Sequence, residues 1–481
     1  MQRIVAKLLF LLLVFHLATT GTLVWAAAET ENPTGAENQT EFAKKAVPEI
    51  QSIEVLDLNT AAKIALAESP TLAAAAQRVE QARQLVNEAR GAYWPNIIAD
   101  GSVNRVEQSE SQYKASVATA QALNPLATIQ NPDDYYRAGL TANWTLFDGF
   151  RRRFSNAAAK YGQAQSEQAL LDSRRLLLAA VAGSYYKAQL ANEGVAIAAA
   201  DEAFNLKQVS DANARLRVGT GALSDVLNFE IQANAAKDDR INAEREYIAA
   251  MVGLAALLGI PEATFPEGLT LAPLEKESET IMELPRAGEQ VAYAHQNRPD
   301  ILVATTGVER ADAEIGTAKA RYYPSIILSG NVSGEHSESR LFEGDDFGNS
   351  VGVFLTYDLF SGGADRARIA QAKHRKSEEI KNLDALKISV ANEVNDALSG
   401  LKAARQSLEL QRKNASLVQR NRDLVEKEYA AGQSSLVRLN EAQRNLTQAQ
   451  SRLAFARLSL RLAWSTLYTA TGKNLDLYSS Y

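Results

Sequence analysis

The sequence contains no cysteine. That absence excludes a disulfide framework, thiolate metal ligands, a cysteine nucleophile and an acylated N-terminal cysteine. Histidine is scarce as well: His16, His295, His336 and His374 are scattered, and none has a metal-ligating neighbour at helical spacing. Neither charge sign dominates, with 51 basic and 57 acidic residues and a net charge of −6, so nothing points to nucleic acid as a partner. Beyond the N-terminal leader there is no apolar run of 18 or more residues, which leaves a closed β-barrel as the only way to span a membrane. Catalytic signatures are missing too. Gly219-Thr220-Gly221 is not preceded by a strand or followed by Gly-Lys-Ser, there is no GxSxG, and no paired carboxylates stand out. Asp345-Asp346 reads as a solvated loop tip. No enzyme activity, cofactor or metal is expected.

What is present begins with a leader. Arg3 and Lys7 precede the apolar run Leu8 to Ala18, and Ala26-Ala27-Ala28 offers a small-residue cleavage site, so residues 1–28 read as a secretory signal peptide.

The rest is two copies of one plan. Ala67 to Ile97 has a counterpart in Gln296 to Ile326, with Pro70 matching Pro299 and Pro95 matching Pro324 at an offset of 229 residues. Asn143 to Gly149 (NWTLFDG) matches Thr356 to Gly362 (TYDLFSG), and Gly219 matches Gly432, at an offset of 213. The 16 residues of difference fall around Ser111 to Asp134, a stretch with two prolines and no clear period that reads as a loop. Four of the 12 prolines cluster between Pro261 and Pro285, the linker between copies.

Each copy opens with helical patterning, Asn59 to Ala92 and Ala287 to Arg321, ended by Tyr-Trp-Pro or Tyr-Tyr-Pro. Two stretches of period-two alternation follow. In the first copy Ile97, Ala99, Gly101 and Val103, then Tyr136 to Leu146 in steps of two, form an apolar set against polar neighbours. In the second copy Ile326, Leu328, Gly330 and Val332, then Val351, Val353, Leu355, Tyr357 and Leu359, repeat it. Taken alone, such strands suit equally a lipid-facing barrel and a half-buried sheet.

Helices decide between them. Phe150 to Val218 and Ala364 to Ala431 lack proline and read as helices of nearly 70 residues, or about 100 Å. A compact domain cannot hold such lengths. Glycine turns follow, and second helices return over Leu223 to Leu258 and Leu436 to Thr471. Ser224 or Thr220 is expected to cap the first return. Pre-strand and post-turn helices, at about 34 and 36 residues, sum to the length of the long one at the same rise, so a column of two can flank each long helix. Four strands cannot close a barrel, whereas three chains would supply twelve.

These features together resemble the TolC-like outer-membrane efflux protein family. The residues that carry the likeness are Asn297 to Ile301 (NRPDI), the Tyr-Trp-Pro and Tyr-Tyr-Pro junctions, the LFDG and LFSG junctions and the paired glycine turns. The resemblance implies a mainly α fold with a small β part. In it a duplicated helix-strand-strand-helix-helix unit builds a long α-helical barrel continued by a trimeric, twelve-stranded transmembrane β-barrel. It divides the chain into a signal peptide (1–28), an N-terminal equatorial segment (29–57), a first repeat (58–260), a linker (261–286), a second repeat (287–472) and a tail (473–481). It also implies an outer-membrane homotrimer in contact with lipid, with a large periplasmic portion, a periplasmic adaptor and an inner-membrane pump. With no lipidated cysteine, anchoring would rest on the barrel, and the terminal aromatic Tyr481 is a common ending for such proteins.

By the same resemblance, adaptor hairpins would dock on the turns at Val218, Gly219 and Leu223 in the first copy and at Gly432 and Leu436 in the second. A periplasmic gate would use Asp225, Tyr429, Ser434, Arg438 and Glu441. Relatives often carry arginine where Ser434 stands and aspartate where Arg438 stands, so the family's network does not carry over and an Asp225 to Arg438 contact is the hypothesis for this chain. The plainer alternative is that these are solvated helix-end charges. As to function, small-molecule export, the exit duct of a type I protein secretion system, and a pore-free periplasmic coiled-coil scaffold all remain open. An autonomous porin would have no use for helices of this length.

Overall fold

The computed structural model describes residues 53–274, 283–337 and 342–478. The signal segment 1–28, residues 29–52, linker residues 275–282 and the end of the tail, Tyr481 included, lie outside the described residues. The first half runs β1 (Val55–Leu56), α1 (Leu58–Glu68), α2 (Pro70–Gly91), β2 (Asn96–Val106), α3 (Glu110–Leu123), β3 (Asp133–Phe147), α4 (Arg151–Arg217) and α5 (Leu223–Leu257). The second runs β4 (Thr270–Leu271), α6 (Ala287–Asn297), α7 (Pro299–Lys319), β5 (Ser325–Ser337), β6 (Phe347–Thr356), α8 (Ala364–Ala430) and α9 (Leu436–Thr471).

Three expectations need correction. The pre-strand helix is not continuous, because Pro70 and Pro299 each sit at the first position of a new helix and hold Ser69 and Arg298 in extended backbone. The 111–134 insertion is not all loop: Ser109 accepts from the Gln112 amide at 3.4 Å and starts α3, which buries none of its residues. Strand β6 stops at Thr356, so Tyr357 and Leu359 lie beyond it.

Four strands form one antiparallel sheet in the order β2-β3-β5-β6. Residues directly opposite one another share a face, so the register tests the alternation. Ile97 faces Ala142, which faces Gly330, which faces Val351; Trp144 faces Leu328, which faces Val353. The apolar sets of all four strands therefore fall on a single face. On the other, Ser102, Arg137 and Glu335 align, and Asn331 donates to the Thr141 hydroxyl at 2.8 Å. Among the described residues, nothing pairs with the outer edges of β2 and β6.

Between sheet and helix, the sequence motifs become one knot. Asp148 of LFDG accepts from the backbone amide and the Nε of Arg152, both at 3.1 Å, and so ties down the first turn of α4. The Arg152 guanidinium lies over the Tyr93 ring, 5.1 Å from its centroid, while Trp144 Nε1 donates to the Tyr93 carbonyl at 3.0 Å. Gly149 lies in the left-handed region (φ +67°), where any Cβ would collide with the Ala320 carbonyl, so both copies' junctions are packed together.

Helices α4 and α8 hold 67 residues each. Near the sheet the helices lie side by side in the order α2-α4-α7-α8, and toward the turns α5 and α9 return along α4 and α8. Because of the proline breaks, the flanking column of α4 is α2 and α5, with 22 and 35 residues, and the junction fills the remaining length. There the end of α5 abuts the α1–α2 break, with a Cβ on Gly259 placed 2.5 Å from the Glu68 carbonyl. Midway along α4, Tyr185 and Gln189 donate to the carbonyls of Leu56 (3.1 Å) and Ala272 (2.8 Å), fastening the β1–β4 pair.

The matching junction of the second copy explains NRPDI. Arg298, 2 % exposed, forks onto Asp300 (3.0 and 2.7 Å), reaches Glu393 at 2.6 Å and donates to the Ala470 carbonyl at 2.8 Å. Arg175 does the same for Thr469 at 2.9 Å. Two guanidinium groups thus satisfy carbonyls that the C-terminus of α9 leaves without helical partners.

Candidate functional site at the helical hairpin tips

Both glycine turns lie at one end of the bundle and pack on each other. Their shared core is Ala212, Val226, Phe229, Val425, Leu439 and Ala442, with Leu216, Tyr429 and Leu436 partly buried against it. The first turn forms because Gly219 takes φ +77°, letting the amides of Thr220 and Gly221 reach back to the Arg215 carbonyl at 3.0 and 3.1 Å. Gly432 (φ +75°) closes the second in the same way, with Gln433 donating to the Glu428 carbonyl at 2.8 Å.

The caps differ from expectation. Ala222 is the N-cap residue of α5 and offers no side chain, while the Thr220 hydroxyl turns back to the Arg215 carbonyl at 3.3 Å. Ser435, not foreseen, caps α9 by accepting from the Arg438 amide at 3.3 Å.

Of the residues read as docking positions, Val218 and Leu223 are strongly exposed, at 74 % and 59 %, Gly219 and Gly432 are exposed, and Leu436 is half-buried in the shared core. Leu227 and Val437, not singled out from sequence, extend the exposed apolar surface.

Of the gate positions, the structure brings Asp225 and Tyr429 together. Burial raises the Tyr429 pKa, the negative charge of Asp225 raises it further, and Arg215 opposes both from over the ring at 5.0 Å. The phenol therefore stays neutral and available as a donor. Arg438 goes elsewhere: within the chain its guanidinium pairs with Glu428 at 3.7 Å rather than with Asp225, and both partners are exposed. Glu441 is exposed, and the half-buried Ser434 has a hydroxyl with no hydrogen-bond partner among the described residues.

Sequence reasoning missed the pieces that join the two hairpins. Asn440 donates to Asn228 at 2.8 Å, Gln443 and Thr447 both donate to Asp201 at 2.7 and 3.0 Å, and Phe229 meets Tyr429 edge to face at 6.1 Å. Polar residues one to about four turns inside a helix end were the available signal, but no spacing rule connects positions more than 200 residues apart. Chemically, the tip combines an exposed apolar rim with breakable, solvent-facing charge pairs. Among the described residues no cluster of metal-ligating side chains occurs, and no helix is long and apolar enough to cross a membrane.

Comparison with known proteins agrees with this architecture. The family model described as "Outer membrane efflux protein" matches in two stretches, residues 61–260 and 291–473. Protein CyaE of Bordetella pertussis is 30 % identical over 430 residues, covering 89 % of this chain and 86 % of that one. The outer membrane efflux protein BepC of Brucella suis is 27 % identical over 394 residues, 80 % of this chain and 78 % of its own length. Among solved structures, the Campylobacter jejuni CmeC outer membrane channel superposes with a TM-score of 0.72 at 17 % identity, over 94 % of this chain and 91 % of that one. The duplicated helix and strand plan, the one-sided sheet and these matches place the chain in the outer membrane efflux protein family, and it belongs to that family.

Proposed function

We propose that this protein is the outer-membrane exit duct of a tripartite small-molecule efflux system. One observation carries the reading: the sheet's continuous apolar face lies at one end of the helices, and the paired hairpin tips lie at the other. A sheet with one apolar and one polar face and two unpaired edges suits a barrel shared between chains, lipid outside and water inside. Three copies would give twelve strands and a ring of twelve helices, forming a homotrimer with no catalytic step of its own.

At the other end, Val218, Gly219, Leu223, Gly432 and Leu436 would receive the hairpins of a periplasmic adaptor, which links the duct to an inner-membrane pump. Asp225, Tyr429, Ser434, Arg438 and Glu441 would form the gate. Arg438, paired with Glu428 only at 3.7 Å and exposed, is free to exchange partners for Asp225 of a neighbouring chain. The family's description as efflux proteins, together with Pseudomonas putida relatives named for antibiotic and toluene efflux, each 28 % identical over 337 residues, favours small molecules as cargo.

The test is oligomer mass in detergent combined with single-channel recording in planar bilayers. A trimer that conducts supports the duct. A monomer without conductance supports the periplasmic scaffold instead.

A further inference from the structure

A large cavity lies far from the tips. It measures about 1040 Å³ and is lined by α2, α4, α7 and α8 together, next to the sheet. Those four helices stand side by side in that order, so a cavity shared by all of them lies on the concave face of the wall they form. Its floor is made of small residues, including Ala89, Ala158, Gly162 and Ala318, which leaves room for long side chains above.

Those long side chains are mostly of one kind. Arg151, Arg310, Arg321, Arg368 and Arg375 line the cavity, against the two carboxylates Glu88 and Glu314. Glu314 is shared, at 3.4 Å from Arg310 and 3.0 Å from Arg375, so the pair of arginines keeps a surplus charge. Arg151 is 4.0 Å from Asp148, whose carboxylate is already taken by Arg152 at 3.1 Å. Arg368 rests on Asp365 at 3.1 Å, a mostly buried residue beneath the cavity wall. Counting Asp148, Asp365 and Arg152 with the lining residues sets six guanidinium groups against four carboxylates, an excess of two positive charges per chain. The chain as a whole is acidic, at −6, so this local excess runs against the average.

We propose that this cavity is an anion-selecting zone of the duct, which attracts and briefly holds cargo bearing carboxylate, sulfonate or phosphate groups before it enters the barrel. The proposal rests on the duct reading, since only in a closed ring do three such zones face one another. A concave, low-dielectric wall with a net positive charge concentrates its field in the enclosed water and raises the local concentration of counter-ions. Guanidinium groups grip planar oxyanions with two hydrogen bonds, yet partly exposed ones release them readily. That balance of entry and release is what passage requires.

Pyrophosphate is the probe. Added to both sides of a bilayer holding the wild-type channel at low salt, it is expected to reduce single-channel conductance at millimolar concentration. Two double variants, Arg310→Gln with Arg375→Gln and Arg151→Gln with Arg368→Gln, should each raise the half-blocking concentration at least tenfold. Lys402→Gln, an exposed position on α8 outside the cavity, should leave it unchanged. Two pairs are used so that one survives if the other fails to assemble, which oligomer mass reports. Insensitivity of the wild type to pyrophosphate, or equal block in the wild type and the assembled double variants, overturns the proposal while leaving a conducting duct in place. No conductance in any protein removes the duct, and the proposal with it.

Discussion

Arg298 does more than end a helix. It joins the proline break of the second copy to α8 through Glu393 and to the end of α9 through the Ala470 carbonyl. Replacing Arg298 with Ala leaves half-buried Asp300 with only the more distant Arg175, at 4.0 Å, and a carbonyl without its donor. Melting of the detergent-solubilised protein should show a loss of roughly 2–4 kcal/mol. Burial opposes ionisation of Asp300, but hydrogen bonds from Arg298 and the charges of Arg298 and Arg175 outweigh it, so its pKa is lowered. A lowered folded pKa contributes stability above the unfolded value, near ~4, and loses it as pH falls through the folded one. The melting-temperature gap between wild type and Asp300→Asn should therefore be full at neutral pH and narrow below about pH 4. At the glycines, two outcomes should separate. Gly219→Ala meets no neighbouring atom and costs only the left-handed backbone, about 1–2 kcal/mol; Gly149→Ala also strikes the Ala320 carbonyl and should prevent assembly, as read by oligomer mass. In the sequence LFDG was visible as a repeat and NRPDI as the opening of the second copy. Their partners were not, because Arg298 reaches a carbonyl 172 residues away.

Among the elements, the long helices were the most legible, since 67 residues without proline leave few alternatives to helix. The helices before the strands were harder: a proline at the first helical position fits either a start or an interruption, and only packing against the end of α5 or α9 shows why the chain breaks there. Helix α3 escaped notice because it buries nothing, so it has no apolar stripe to betray it. The hairpin core makes its own prediction. Phe229 is fully buried between the two tips, and Phe229→Ala should cost about 3–5 kcal/mol. Because that loss falls on the end carrying the proposed gate residues, the variant should also show higher and noisier single-channel conductance than wild type. For the gate, charge reversal at Arg438 should change conductance and antibiotic sensitivity of the host. If both stay at wild-type values, the tip charges are ordinary solvated ends.

For the whole molecule, the sheet carries the argument, because one chain supplies four strands with unpaired edges and an apolar face that water would not tolerate. The strand faces were readable from alternation alone; their coincidence on one side depended on register, which alternation does not set. Closure of that sheet by other copies of the chain is the central claim. The absence of native cysteine makes it directly testable. Cysteine pairs are introduced on the polar face, one from Ile98, Asp100 and Ser102 on β2 and one from Ser350, Gly352 and Phe354 on β6, and the protein is oxidised in outer membranes. Chains closed edge to edge should give at least one pair whose cross-linked ladder runs through dimer to trimer and stops there. Monomers from every pair, or a ladder that continues past three, would contradict a closed ring of three chains.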